Sequence, residues 1–188
     1  ASLARLRERY RAVRILGAGG MGQVSECLDL YLDRFVARKD LLPASDMLGL
    51  GSALVPEAQL TGRLEHPNII PVYDLGVDEQ GLPYYVMRLV KHSTLAAVLT
   101  QLSRGSPEAL ELYNLPKLLR LFVQVCNAVA YAHSQHILHR DLKPENILLG
   151  RFGEVLVVDW GVATRLHQQP ENIAGTPGYL APEALDPT

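Results

Sequence analysis

The 188-residue chain reads as an α+β fold in two halves of different character. Three observations predict this. Short runs rich in β-branched and aromatic residues, bounded by turn residues, fill most of the first half. A long segment with apolar residues at helical spacing opens the second half. The change falls near Lys91-His92-Ser93, dividing the chain into residues 1–91 and 92–188.

In the first half, Tyr10 to Leu16 is expected as a strand that runs into a glycine cluster, Gly17-Ala18-Gly19-Gly20-Met21-Gly22. Val24 to Leu30 and Arg34 to Leu41 follow as strands around a turn at Leu32-Asp33. Residues 43–53 read as loop, being rich in Pro, Gly and Ser. A helix is expected to begin at Pro56, with Glu57 directly behind it, because proline suits the first helical position and is excluded from helix interiors. Such a start makes the helix short, and a mobile helix with a conditional Lys39–Glu57 pair is the expectation. The helix should stop before His66-Pro67. Ile69 to Tyr73 and Tyr84 to Leu89 are two further strands, separated by a turn at Glu79-Gln80-Gly81. In the second half, Leu118, Phe122, Val125, Val129 and Ala132 mark the apolar face of a helix from about Leu115 to Ser134. Ile147–Leu149 and Val155–Val158 are short strands joined through Gly150 to Gly153. After Asp159-Trp160-Gly161 the chain turns polar and loop-like.

Composition narrows the function classes. Apolar residues make up 48% and charged residues 20%, enough to bury a core. The net charge of −2 offers no basic stripe for a phosphate backbone, so nucleic acid is not an expected partner. No apolar run is long enough to span a bilayer, and no membrane contact is expected from this segment. Cys27 and Cys126 have no CxxC spacing, and two buried free thiols in a reducing cytoplasm are the expectation. A cytoplasmic location follows, either alone or as the cytoplasmic part of a larger, membrane-anchored protein. The chain opens at Ala1 and ends at Thr188, so a longer reading frame is expected around it. Oligomeric state is not legible.

The glycine cluster fits G-x-G-x-x-G-x-V through Gly17, Gly19, Gly22 and Val24. Glycines let a backbone approach phosphates closely. A dinucleotide-binding loop is the competing reading, but it needs a helix after the last glycine. Val24-Ser25-Glu26-Cys27-Leu28 alternates like a strand, which favours a strand–loop–strand flap. Val36-Ala37-Arg38-Lys39 follows as V-A-x-K, and a strand lysine supplies a fixed positive charge for phosphates. Such a lysine needs a carboxylate to hold it, and Glu57 is the best candidate; the bland reading of Glu57 is a helix-start carboxylate. The most specific run is His139-Arg140-Asp141-Leu142-Lys143-Pro144-Glu145-Asn146, which matches H-R-D-L-x-x-x-N at every specified position. Asp141 can accept or orient a hydroxyl proton, and Lys143 can hold a γ-phosphate. Asn146 and Asp159 flank a short hairpin and offer oxygen to Mg²⁺, a hard cation. His133, His136 and His139 are spaced three apart, but His139 belongs to this loop and spacing alone supplies no ligand geometry, so zinc is not expected.

With Gly175-Thr176-Pro177-Gly178-Tyr179-Leu180-Ala181-Pro182-Glu183, these motifs resemble, in order, those of the eukaryotic-like serine/threonine protein kinases of bacteria. The resemblance runs from about Tyr10 to Glu183. It implies a protein-kinase-like two-lobe fold: an antiparallel β-sheet N-lobe with one helix, then the first part of a mainly helical C-lobe. It also implies ATP and Mg²⁺ as cofactors and a protein carrying Ser or Thr as substrate. Leu16, Val24, Ala37 and Leu148 would sandwich the adenine. Met87 would lie at the back of the pocket, and backbone groups of Arg88 and Val90 would bind the adenine edge. Lys39, Glu57, Asp141 and Lys143 would be the catalytic set. Arg140 usually pairs with a phosphorylated loop residue; here Glu171 is expected as a built-in negative charge.

The chain departs from the family pattern in places. Trp160 stands where phenylalanine is usual and is expected near His139 and the Glu57 helix, with an N–H that needs a partner. Arg88 replaces a common glutamate whose side chain is not needed. The family continues past Glu183 through several helices, so the isolated segment is expected to be poorly stable and inactive. The alternative to an active kinase is a pseudokinase-type nucleotide-binding scaffold.

Overall fold

The structure, a computed structural model, describes residues 9–19, 22–42, 51–91, 93–165 and 175–182. It divides into two compact units. The first takes in the chain through Gly62 together with Pro71–Leu89; the second comprises Arg63–Ile70 and the chain from Val90 onward.

The first unit is a five-stranded antiparallel sheet with one helix. Its strands are β1 (Tyr10–Gly19), β2 (Gly22–Asp29), β3 (Arg34–Asp40), β4 (Val72–Val77) and β5 (Pro83–Arg88), in the order β1-β2-β3-β5-β4. The tight turn before β3 uses Asp33 at φ 46°, a left-handed position that aspartate tolerates. One face of the sheet buries Tyr10, Cys27, Val36 and Val86. The opposite face packs Leu41 and Tyr85 against Leu54 and Ala58 of helix α1 (Gly51–Gly62).

Helix α1 starts five residues earlier than expected and carries Pro56 in its interior. Proline lacks the N–H that would bond to the carbonyl four residues back, a local cost of about 3 kcal/mol. Leu54 and Ala58, at 3% and 2% exposed, lie one on each side of the proline and are driven into the core. Burial of that order is worth about 1.5–3 kcal/mol for a leucine, so packing offsets the propensity. The expected strand from Ile69 to Tyr73 is also displaced. Pro71 interrupts it: Ile69 makes a parallel bridge to Val157 in the second unit, and β4 begins only at Val72. A proline cannot donate to a ladder, so the apolar run is split.

The second unit contains β6 (Ser93–Thr94), α2 (Leu95–Ser103), α3 (Pro107–Leu112), α4 (Leu115–Ser134), β7 (Ile137–Leu138), β8 (Ile147–Leu149), β9 (Val155–Val157) and β10 (Thr164–Arg165). Asn114 caps α4, its side chain accepting from the Lys117 N–H, and Pro116 sits in the first turn. The helix bounds agree with the periodicity, and Val125 and Ala132 of the expected face are buried, with Leu118 and Val129 half-buried; the face is rotated so that Phe122 leaves it. Leu121, Val125, Ala128 and Ala132 point inward, whereas Phe122 is 64% exposed. The helix is apolar over more than one stripe, so spacing alone could not choose between them; packing against β7 and β9 does. The same rotation leaves Cys126 exposed, correcting the expectation of two buried thiols, while Cys27 is fully buried. Among the described residues no helix is long and apolar enough to cross a membrane.

Replacing Pro56 by alanine restores the missing helical bond without disturbing Leu54 or Ala58. We expect stability to rise by about 1–3 kcal/mol, read as an upward shift of the urea midpoint. An unchanged midpoint would mean that the backbone has already absorbed the proline at no cost.

Candidate active site

Strand register groups the candidate residues of the first unit. Val24 lies opposite Lys39, and Lys39 opposite Tyr85; Ala37 lies opposite Met87. Directly opposite residues share a sheet face, so Val24, Ala37, Lys39, Tyr85 and Met87 all look toward the α1 side. Ala37 is buried, Val24 and Met87 are half-buried, and Leu16 on β1 is exposed. Lys39 Nζ donates to both carboxylate oxygens of Glu57, at 2.8 and 2.9 Å. The two side chains are 12% and 3% exposed. The Lys39–Glu57 pair is formed here, on a helix α1 that begins before Pro56.

The glycines of the β1–β2 hairpin differ in role. Gly22 has φ 151° and abuts the Asp40 carbonyl, so a side chain would collide with β3 backbone. Nothing lies within 4 Å of where a Cβ would stand on Gly17 or Gly19. Protein packing thus accounts for the glycine at 22 but not for those at 17 and 19, where the space is open to a ligand.

The second unit, taken by itself, carries its candidate polar residues around one short stretch. A 3₁₀ turn, Pro144–Asn146, leads into the β8–β9 hairpin. The Val158 N–H donates to the Asn146 carbonyl at 2.9 Å, which brings Asn146 and the residue before Asp159 together. Asn146 uses its amide NH₂ on the Asp141 carbonyl at 2.8 Å and on Asp141 Oδ2 at 3.3 Å. Its amide oxygen therefore turns away from Asp141. Asp159 holds a left-handed φ of 64° and Arg140 one of 67°. Leu148 lies half-buried on β8, and Val90 also belongs to this unit.

Asp141 closes a ring of hydrogen bonds. The Thr176 hydroxyl donates to Asp141 Oδ1 at 2.6 Å and accepts from Lys143 Nζ at 2.6 Å, while Lys143 also meets Asp141 Oδ2 at 2.8 Å. Gly175 permits this approach: at φ 132°, a Cβ there would sit 2.7 Å from the Arg140 carbonyl oxygen. Burial works against the Asp141 carboxylate, but bonds from Lys143 and Thr176 outweigh it and hold the group below its usual range. Lys143 is raised above its usual range, first by its bond to Asp141 and also by the Asp159 charge. Neutral pH leaves both ionised.

His139 supports this loop from beneath. The Asp141 N–H donates to Nδ1 at 3.3 Å, so the proton sits on Nε2 and is donated to the Val158 carbonyl at 3.0 Å. Trp160 packs on the imidazole with ring centroids 4.5 Å apart. Its indole N–H finds no partner among the described residues. Glu171 and Glu183 lie outside the described residues, as do Gly20 and Met21. Sequence reasoning missed two residues, the Tyr85 hydroxyl that bonds Glu57 and the part Thr176 plays at Asp141. The signal for Tyr85 was its place two residues before Met87, on the same strand face.

Burial lowers the His139 pKa. An unfolded histidine titrates near 6.5, so below that pH the unfolded chain binds more protons than the folded one. Stability from this group is full above about pH 7 and is lost as pH falls through 6.5 toward the folded-state value. Denaturant titrations should show stability declining more steeply from pH 7 to 5 in the parent than in His139→Gln. Parallel curves would rule this out.

Residues 10–188 match the model of the protein kinase domain family. The chain is 37% identical over 202 residues to the serine/threonine-protein kinase PknD of Protochlamydia amoebophila, covering 93% of this chain and 20% of that protein. It is 35% identical over 210 residues to the PknD of Chlamydia trachomatis serovar L2b, covering 95% and 22%, and 37% identical over 205 residues to that of Chlamydia pneumoniae, again covering 95% and 22%. The chain thus spans about a fifth of the length of these curated relatives. With its antiparallel sheet and helix, its Lys39–Glu57 pair and its Asp141 loop, the chain belongs to the protein kinase domain family.

Proposed function

We propose that the protein transfers the γ-phosphate of ATP to serine or threonine hydroxyls of a protein substrate, at a cytoplasmic location. The observation that carries this reading is the ring formed by Asp141, Lys143 and Thr176. An ionised carboxylate held by a lysine and a hydroxyl suits the activation of an alcohol. It accepts a hydrogen bond from an incoming alcohol, aims the oxygen at phosphorus, and takes the proton as the new O–P bond forms. The low pKa makes Asp141 a weak base, so its contribution is chiefly orientation, with proton transfer late. The bond broken is the one from the γ-phosphorus to the β–γ bridging oxygen, and ADP leaves. Lys143 faces the charge on the phosphoryl group in flight.

Lys39, fixed by Glu57, supplies the cation for the α- and β-phosphates, and the open space over Gly17 and Gly19 leaves room for backbone to approach them. Leu16, Val24, Ala37, Met87 and Leu148 are the apolar residues for the adenine, with backbone of Arg88 and Val90 at its edge. Asn146 and Asp159 fit Mg²⁺, because both offer oxygen and the Asn146 amide nitrogen is already committed to Asp141. When bound, the ion neutralises phosphate charge. The scaffold alternative loses one of its supports, since α1 forms and pairs despite Pro56.

The test uses the full-length protein, labelled Mg-ATP and a generic protein acceptor. Asp141→Asn should lower transfer by at least about 100-fold while nucleotide binding persists. Equal labelling by parent and variant would overturn the assignment. Thr176→Val removes both bonds of the ring's hydroxyl and should lower kcat about ten-fold with little change in KM for ATP. A loss confined to KM would place Thr176 in nucleotide binding instead.

A further inference from the structure

The Tyr85 hydroxyl lies 2.8 Å from Glu57 Oε1, the same oxygen that accepts from Lys39 at 2.8 Å. Tyr85 is buried, at 3% exposed, and its ring lies 5.9 Å from the Lys39 ammonium. We propose that Tyr85 is a positioning residue for phosphoryl transfer. It holds the Glu57 carboxylate in place, and through it the ammonium of Lys39. The inference rests on the kinase reading for its effect on rate, though not for its effect on Lys39.

Three features carry the argument. First, a phenol facing a carboxylate can only donate, so the hydrogen-bond direction is settled. Second, a carboxylate 3% exposed needs its lone pairs satisfied by more than one cation. Lys39 occupies both oxygens, and Tyr85 adds a second donor on Oε1. Third, the donor is rigidly mounted. Tyr85 stands directly opposite Lys39 across the β3–β5 ladder, and its ring packs with Leu41, Leu54 and Ala58. The phenol therefore cannot swing away without opening the core.

A lysine that serves phosphates must share its protons between the nucleotide and its carboxylate. During that exchange Lys39 is an unsteady anchor for Glu57. The Tyr85 bond is independent of nucleotide, so it keeps the carboxylate aimed at the ammonium through the cycle. It also ties α1 to β5 by a route that bypasses Lys39. On the same turn the Thr61 hydroxyl donates back to the Glu57 carbonyl at 2.8 Å, so this buried hydroxyl is satisfied within the helix.

Tyr85→Phe keeps the ring and removes only the hydroxyl. Two measurements on the full-length protein decide the matter, with the thermal midpoint checked to show that both variants are folded. The first is the rate at which an amine-directed acylating reagent modifies Lys39 without nucleotide, followed by peptide mass spectrometry. It should rise several-fold in Tyr85→Phe, and this holds whether or not the protein proves to be a kinase. The second is steady-state kinetics, where kcat/KM for ATP should fall about ten-fold. The fall should be much smaller in a Glu57→Gln background, because the two residues act as one unit. Parental Lys39 reactivity in Tyr85→Phe would overturn the proposal, as would effects of the two substitutions that simply multiply. Absence of phosphate transfer by the parent would instead overturn the kinase reading and leave the acylation result to judge Tyr85.

Discussion

The buried ion pair between Lys39 and Glu57 constrains the first unit more than any other contact. Two charges withdrawn from water are tolerable only with close geometry and with hydrogen bonds to spare, and breaking such a pair typically costs about 3–5 kcal/mol. The surrounding structure follows from that demand. The β3 register must place Lys39, and not Arg38, on the α1 side. Helix α1 must extend far enough toward its N-terminus to bury Leu54 and Ala58, or Glu57 would not be held at the sheet. Pro56 is accommodated because the helix is secured by its buried face and not by an unbroken ladder of backbone bonds.

The second unit solves a similar problem by the same means. Lys143 is held by a carboxylate, Asp141, and that carboxylate is held by a hydroxyl, Thr176. In the first unit the order is Lys39, Glu57 and Tyr85. A flexible lysine is an imprecise tool, since its stem carries several rotatable bonds. Two further donors and acceptors remove most of that freedom. The hydroxyl suits the outermost position because it adds a directional bond without another charge to desolvate.

Local backbone geometry supports this arrangement where function demands it. Arg140 and Asp159 both adopt left-handed φ, flanking the loop that carries Asp141, Lys143 and Asn146. The neutral tautomer of His139 bonds at both ends of that stretch, to the Asp141 N–H and to the Val158 carbonyl. Trp160 fills the space beside the imidazole but leaves its own N–H unpartnered among the described residues, a cost that phenylalanine would not carry. The substitution gains buried area and loses polar satisfaction.

Much was legible in the residues themselves. The order of motifs, the strands on either side of the glycine cluster and the bounds of α4 at Leu115 and Ser134 all follow from local rules of spacing, capping and turn chemistry. So do the identities of the ionisable groups. What local rules could not decide was every question in which two elements compete for one buried surface. Pro56 argues for a helix start in isolation, yet burial of Leu54 carries the helix past it. Leu118 and Phe122 fit the period of α4 as well as Leu121 and Ala128 do, and only the neighbouring strands select between the stripes. Pro71 sits in a run that reads as one strand, but Ile69 and Val72 belong to different units. The Tyr85 and Thr176 hydroxyls join carboxylates 28 and 35 residues away, at distances set by sheet register and by loop packing. Sequence alone determined which chemical groups the protein has and the local segments that carry them. Tertiary structure alone decided which faces are buried and which hydroxyl meets which carboxylate, because those outcomes depend on free energies shared between distant parts of the chain.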